Sequence, residues 1–208
     1  MSLHAGLLMI KGNHLDRIGD IFTAFNYRLT GTVEHVDNWA EALEAMQYPR
    51  PGKSREIVYK TVFVHSGWTV ILDPEMLMLV DEDACTQVSR ALGSPIFGMV
   101  CEGTSNSYGY SLYDRKLVRA FWSGDGEVFD NRGDKIPEEE SIALEGIFED
   151  DVLRVMERLG VNYFDFENLR AFEVFELDES HIPVHTGSDA EEQTPPSRKS
   201  KKPWWKFW

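Results

Sequence analysis

The chain has 208 residues, 42% hydrophobic and 12% aromatic, with a formal net charge of −14. That length suits one domain plus extensions, and a body of this size buries enough apolar surface to stand without disulfide or metal staples. Two cysteines are too few for a disulfide framework or a zinc signature. No run approaches the ~20 apolar residues of a membrane helix, and the apolar run Gly6–Ile10 has no basic segment before it, so the expected location is cytoplasmic.

Gly6 to Lys11 reads as a short strand. Asn13 is placed to cap a helix whose Leu15, Ile18, Ile21, Phe22 and Phe25 recur every three or four residues, running to about Tyr27. Thr30 to Val36 is a connector or short strand. Asp37 is the expected cap of a second helix with Trp39, Leu43 and Met46 on one stripe, closed by Pro49 and Pro51. Ile57–Val64 and Trp68–Leu72, separated by His65, Ser66 and Gly67, form a hairpin.

Glu82 to Leu92 reads as a helix stopped by Gly93 and followed by Pro95 and a strand, Ile96–Cys101. From Ser107 to Asp130, alternating residues with turns at Asp114–Arg115 and Gly124–Asp125–Gly126 give an antiparallel meander. Asp134–Glu140 is a charged loop, Asp150–Leu159 a helix with Val152, Val155, Met156 and Leu159 inward, and Ala171–Leu177 a last strand. The pattern predicts an α+β fold: a mostly antiparallel sheet, hairpin plus meander, with three or four packed helices. Strict β-α-β alternation is missing, which disfavours a doubly wound fold.

Composition changes after Asp178. Residues 1–178 form the expected single domain, 179–203 a disordered linker and 204–208 an aromatic tip. The segment 179–208 holds five basic and four acidic residues, a net +1, which leaves −15 on the body. Such a body repels nucleic acid and attracts basic partners.

The tip is the most unusual feature. Trp204, Trp205, Phe207 and Trp208 stand beside Lys201, Lys202 and Lys206. Exposed tryptophans are costly in water, so three uses are physically sensible: weak contact with an anionic membrane, an aromatic-anchored motif for a protein partner, or a clamp folded back onto the acidic body. A second, weaker candidate surface is Tyr108, Tyr110 and Tyr113 with Arg119 and Trp122, residue types common at binding hot spots and equally common in ordinary sheets.

Catalytic signals are sparse. His181 and His185 have helical spacing but straddle Pro183, so no metal site is expected. The acidic clusters Asp81–Asp83, Glu138–Glu140 and Glu149–Asp151 lie at helix starts or in a loop. Glu102, after an apolar strand, is the acid to inspect for burial. Cys101 has no neighbouring positive charge to activate it, and Gly124–Asp134 lacks the ligand pattern of a calcium loop. No glycine-rich phosphate loop or serine elbow is present, and no cofactor is expected.

The turn chemistry of Tyr113–Arg119 and Gly124–Glu127 resembles that of small bacterial proteins, some toxin-neutralising immunity proteins among them. It covers about a tenth of the chain and carries no functional residue across. The expected function is therefore a non-enzymatic interaction protein, immunity- or adaptor-like, whose acidic body binds a basic protein partner and whose tip recruits or localises. The alternatives are a small-molecule hydrolase with a site assembled from Glu102, His65, Asp73, Tyr108 and Arg119, or peripheral membrane association through the tail.

Overall fold

The computed structural model of the chain describes residues 3–46, 50–142 and 146–180. Their frame is a nine-stranded antiparallel sheet. In chain order the strands are β1 (His4–Lys11), β2 (Arg28–Val36), β3 (Ile57–His65), β4 (Trp68–Leu72), β5 (Ile96–Glu102), β6 (Ser107–Tyr113), β7 (Leu117–Gly124), β8 (Glu127–Arg132) and β9 (Phe172–Asp178). Their spatial order is β2-β9-β3-β4-β1-β5-β6-β7-β8.

Short turns build the two sequence-local parts. β3 and β4 are joined by Ser66 and Gly67 at φ 50° and 76°, with His65 opposite Trp68, the two left-handed positions that match a hairpin's twist. β6 through β8 form the expected meander, and β5 pairs with β6 to extend it by a fourth strand. Two insertions complete the sheet. β1 lies between β4 and β5, with Leu7 opposite Leu72 and Met9 opposite Phe97. β9 lies between β2 and β3, with Phe175 opposite Val33 and Val174 opposite Thr61.

The helices α1 (Ile18–Ala24), α2 (Trp39–Ala45), α3 (Glu82–Leu92) and α4 (Glu149–Arg158) divide between the two faces. Ile18, Ile21 and Phe22 of α1 and Cys85 and Val88 of α3 pack over Leu8, Ile10, Val62 and Val100. Trp39 and Ala42 of α2 and Val152, Val155 and Met156 of α4 pack over Leu7, Met9, Phe63 and Phe97. Because both faces are covered, β1 and β5 are buried along nearly their whole length, which explains their continuous apolar runs.

Several local expectations change. Asn38, not Asp37, caps α2: it holds the extended conformation, and its Oδ1 accepts the Glu41 N–H at 2.9 Å. α2 ends at Ala45, before either proline, and Pro49 lies outside the described residues. The first helix opens with a 3-10 turn, Leu15–Arg17. Thr30–Val36 belongs to a nine-residue edge strand whose register shifts between Leu29 and Val33, a break of the kind that discourages edge-to-edge pairing. The charged loop contains a 3-10 turn, Pro137–Glu139, whose Glu139 is fully buried against Arg119.

The five residues of the expected sheet surface are corrected outright. Tyr108, Tyr110, Tyr113, Arg119 and Trp122 are all buried. Tyr108 and Tyr110 join the core under α2 and α4, and Tyr113 and Trp122 the core under α1 and α3. A sheet covered on both sides leaves its central aromatics no solvent face.

Candidate functional site

One end of the sheet gathers the start of β1 and the ends of β4, β5 and β9. His4 stands opposite Glu102, Leu7 opposite Leu72, and Asp178 opposite Ile57. Here a pocket of about 240 Å³ opens between the sheet and α2. Its floor is Ala5, Leu7 and Leu72, one wall is Trp39, Leu43 and Met46 of α2, and the rim carries His4, Pro74 and Tyr163.

Packing makes the wall rigid. The Trp39 ring lies 5.5 Å from Phe166, 5.9 Å from Phe172, 6.0 Å from Tyr163 and 6.3 Å from Phe63. Tyr163 and Phe166 come from the 3-10 segment Tyr163–Asn168, started by Asn162, whose Oδ1 accepts the Phe164 N–H at 3.0 Å. Burial, with the Glu167 and Glu149 carboxylates nearby, pushes the Tyr163 phenol up to about 12.

The rim is acidic. His4 Nδ1 pairs with Glu102, whose side chain is 6% exposed against 62% for His4. The second Glu102 oxygen accepts the Thr104 N–H at 2.8 Å. Glu149 accepts the Leu3 N–H at 2.8 Å and lies close enough to Tyr108 and Tyr163 to raise both phenols. Three apolar side chains are exposed: Leu43 of the pocket wall at 43%, Phe164 at 61% and Phe148 at 58%. Phe164 packs edge-on against Tyr163 at 5.8 Å, and Phe148 lies 6.3 Å from Tyr108.

The volume limits what fits. It falls below the roughly 300–1,000 Å³ of sites for drug-sized ligands and suits one large side chain. Among the described residues no group of three histidine, cysteine or acidic side chains is arranged to hold a metal ion, and no helix is long and apolar enough to cross a membrane.

The dispersed acid–base candidates take separate partners. Asp73 pairs with the fully buried Lys60, which also reaches Glu75, and Asp73 Oδ2 accepts the Met78 N–H at 2.7 Å. Arg119 pairs with Glu139. His65, at the β3–β4 turn, is half-buried with its ring edge-on to Phe166 and 3.9 Å from Asp165. Glu102 is buried and paired with His4, outside the pocket lining, and Tyr108 is in the core.

The tail candidates Lys201, Lys202, Trp204, Trp205, Lys206, Phe207 and Trp208 lie outside the described residues. Of the pocket residues, Trp39, Leu43 and Met46 were legible as one helical stripe, while His4 and Tyr163 carry no spacing motif. A further signal was the adjacent aromatic pair Tyr163–Phe164. No family model, curated protein or solved structure matches the chain.

Proposed function

We propose that this chain is a non-enzymatic, cytoplasmic interaction protein whose acidic body docks a basic, aromatic-anchored segment of a protein partner, and whose tail tip governs recruitment. The observation that carries this reading is the pocket itself: an apolar slot the size of one aromatic side chain, with the exposed Leu43 in its wall and Phe164 beside its lining residue Tyr163, on a body whose net charge is −15. Aromatic anchors in such slots dominate binding energy at protein interfaces. A surrounding negative field steers a basic segment in and rejects an acidic one.

The test is a titration by fluorescence anisotropy. The probe is a short labelled peptide with one tryptophan between lysines. The protein is the full chain with Trp204, Trp205, Phe207 and Trp208 replaced by serine, so that the chain's own aromatics do not contribute. Saturable binding is expected, weakened by salt as screened charge requires, and lost when Leu43→Trp fills the slot. An absence of binding, or binding indifferent to Leu43→Trp, refutes the pocket as the docking site.

A further inference from the structure

The end of the sheet that forms the pocket is also the end from which the tail departs. β9 finishes at Asp178 opposite Ile57, and the Glu179 N–H bonds the Glu56 carbonyl at 2.8 Å, so Ser180 stands at the pocket's end of the sheet. Only β3 and β4 separate β9 from β1, three strand spacings or roughly 14 Å. Trp204 follows Ser180 by 24 residues, a maximal reach of about 80 Å, so length does not limit return to the pocket.

Charge and chemistry match as well. Residues 194–208 carry five basic side chains and no acidic one, against a body of −15. The tip offers bulky aromatics flanked by lysines, and the pocket offers an apolar slot for one aromatic, with the exposed Phe164 packed on its lining residue Tyr163 and the Glu149 carboxylate near that same tyrosine. We infer that a tryptophan of the chain's own tip occupies this pocket and holds it closed to partners. A tethered occupant acts at an effective concentration in the millimolar range, so even a weak contact keeps the site filled until a stronger partner displaces it. The inference rests on the pocket being the docking site.

Met46 reports the occupant from inside the wall. The full chain, labelled at its methionine methyl groups, is compared by NMR with the version carrying serine at Trp204, Trp205, Phe207 and Trp208. Met46→Leu assigns the signal, and the signals of Met9, Met99 and Met156, which belong to the buried core, verify that the fold is intact. The Met46 methyl is expected to move when the tip aromatics are removed, because the ring above it is gone. A labelled peptide of residues 194–208 is expected to bind the serine version and to bind the intact chain at least tenfold more weakly.

Three results overturn the inference, each in its own way. An unmoved Met46 signal, with the lysine–tryptophan probe still binding through the Leu43 slot, removes the self-docked tip and leaves the pocket reading standing. Failure of both peptides on the serine version removes both. An unmoved Met46 signal, with the intact chain but not the serine version sedimenting on anionic phospholipid vesicles, assigns the tip to a membrane surface instead.

Discussion

Arg119 and Glu139 form a closed ion pair inside the protein, with Nε to Oε1 at 2.6 Å and Nη2 to Oε2 at 3.1 Å, and neither side chain more than 1% exposed. The remaining donors are also used: Nη1 reaches Asn131 Oδ1 at 2.7 Å and the Arg132 carbonyl at 3.1 Å. The pair thus staples the connection after β8 to β7. Removing one partner strands a buried charge, so Glu139→Ala is expected to cost about 3–5 kcal/mol in urea unfolding. Replacing both residues by methionine is expected to recover most of that loss. A single variant that unfolds at the parent's urea concentration would show that water already reaches the pair.

Stability should depend on pH through two glutamates of opposite sign. Glu176 accepts Lys53 at 2.6 Å, Tyr59 at 3.0 Å and Thr30 at 2.9 Å, and the Lys53 hydrogen bond holds its carboxyl below the ordinary 4.5. A depressed folded pKa stabilises above the unfolded value, and that stability is lost as pH falls through the folded one. Glu176→Gln is therefore expected to lower the urea midpoint at neutral pH, and the difference from the parent is expected to shrink as pH falls below the ordinary carboxylate range and through the depressed folded value. Glu179 runs the other way. Burial, then Glu75, raises its carboxyl, so its ionisation opposes folding once pH exceeds the unfolded value. Glu179→Gln is expected to stabilise at neutral pH and to have no effect in acid. Urea titrations at the two pH values check both signs.

Both thiols should be silent in the native protein. Cys85 and Cys101 are fully buried, and burial pushes both above the ordinary thiol range. The thiolate is the reactive form, so an aromatic disulfide reagent is expected to titrate neither residue in buffer and both in guanidinium. A thiol that reacts at once in buffer would contradict the packing of α3 or β5.

Gly109 marks a close approach between β6 and the Trp122 ring. A Cβ there would stand 2.6 Å from Trp122 Cδ2 and Cε3 and 2.8 Å from the Phe121 carbonyl. Gly109→Ala is therefore expected to displace the indole and break its Nε1 bond to Ser111 Oγ, now 3.0 Å. The measurements are indole fluorescence, expected to shift, and urea unfolding, whose free energy is expected to fall by about 1–3 kcal/mol through overpacking. An unchanged spectrum would show that the ring has room to move.

Much of the fold is visible in local patterns. The β3–β4 hairpin follows from Ser66–Gly67, α3 from Asp81 at its start and Gly93 at its end, and the β6–β8 meander from the turns at Asp114–Arg115 and Gly124–Gly126. Each depends on contacts between residues a few positions apart, whose geometry is set by φ, ψ and capping chemistry. The insertion of β1 between β4 and β5 and of β9 between β2 and β3 depends on partners as much as 150 residues away, as Arg28 and Asp178 show. Periodicity carries no record of such pairings.

The candidate site divides in the same way. Composition alone determined an acidic body, a basic aromatic tip and two unactivated cysteines, because charge and side-chain type add up without regard to position. The pocket was decided by tertiary structure, since His4, Trp39, Pro74 and Tyr163 meet only when four distant segments reach one end of the sheet. The same packing turned Tyr110 and Trp122 from surface candidates into core. An aromatic in a strand looks alike from either side until the helices that cover that side are in place.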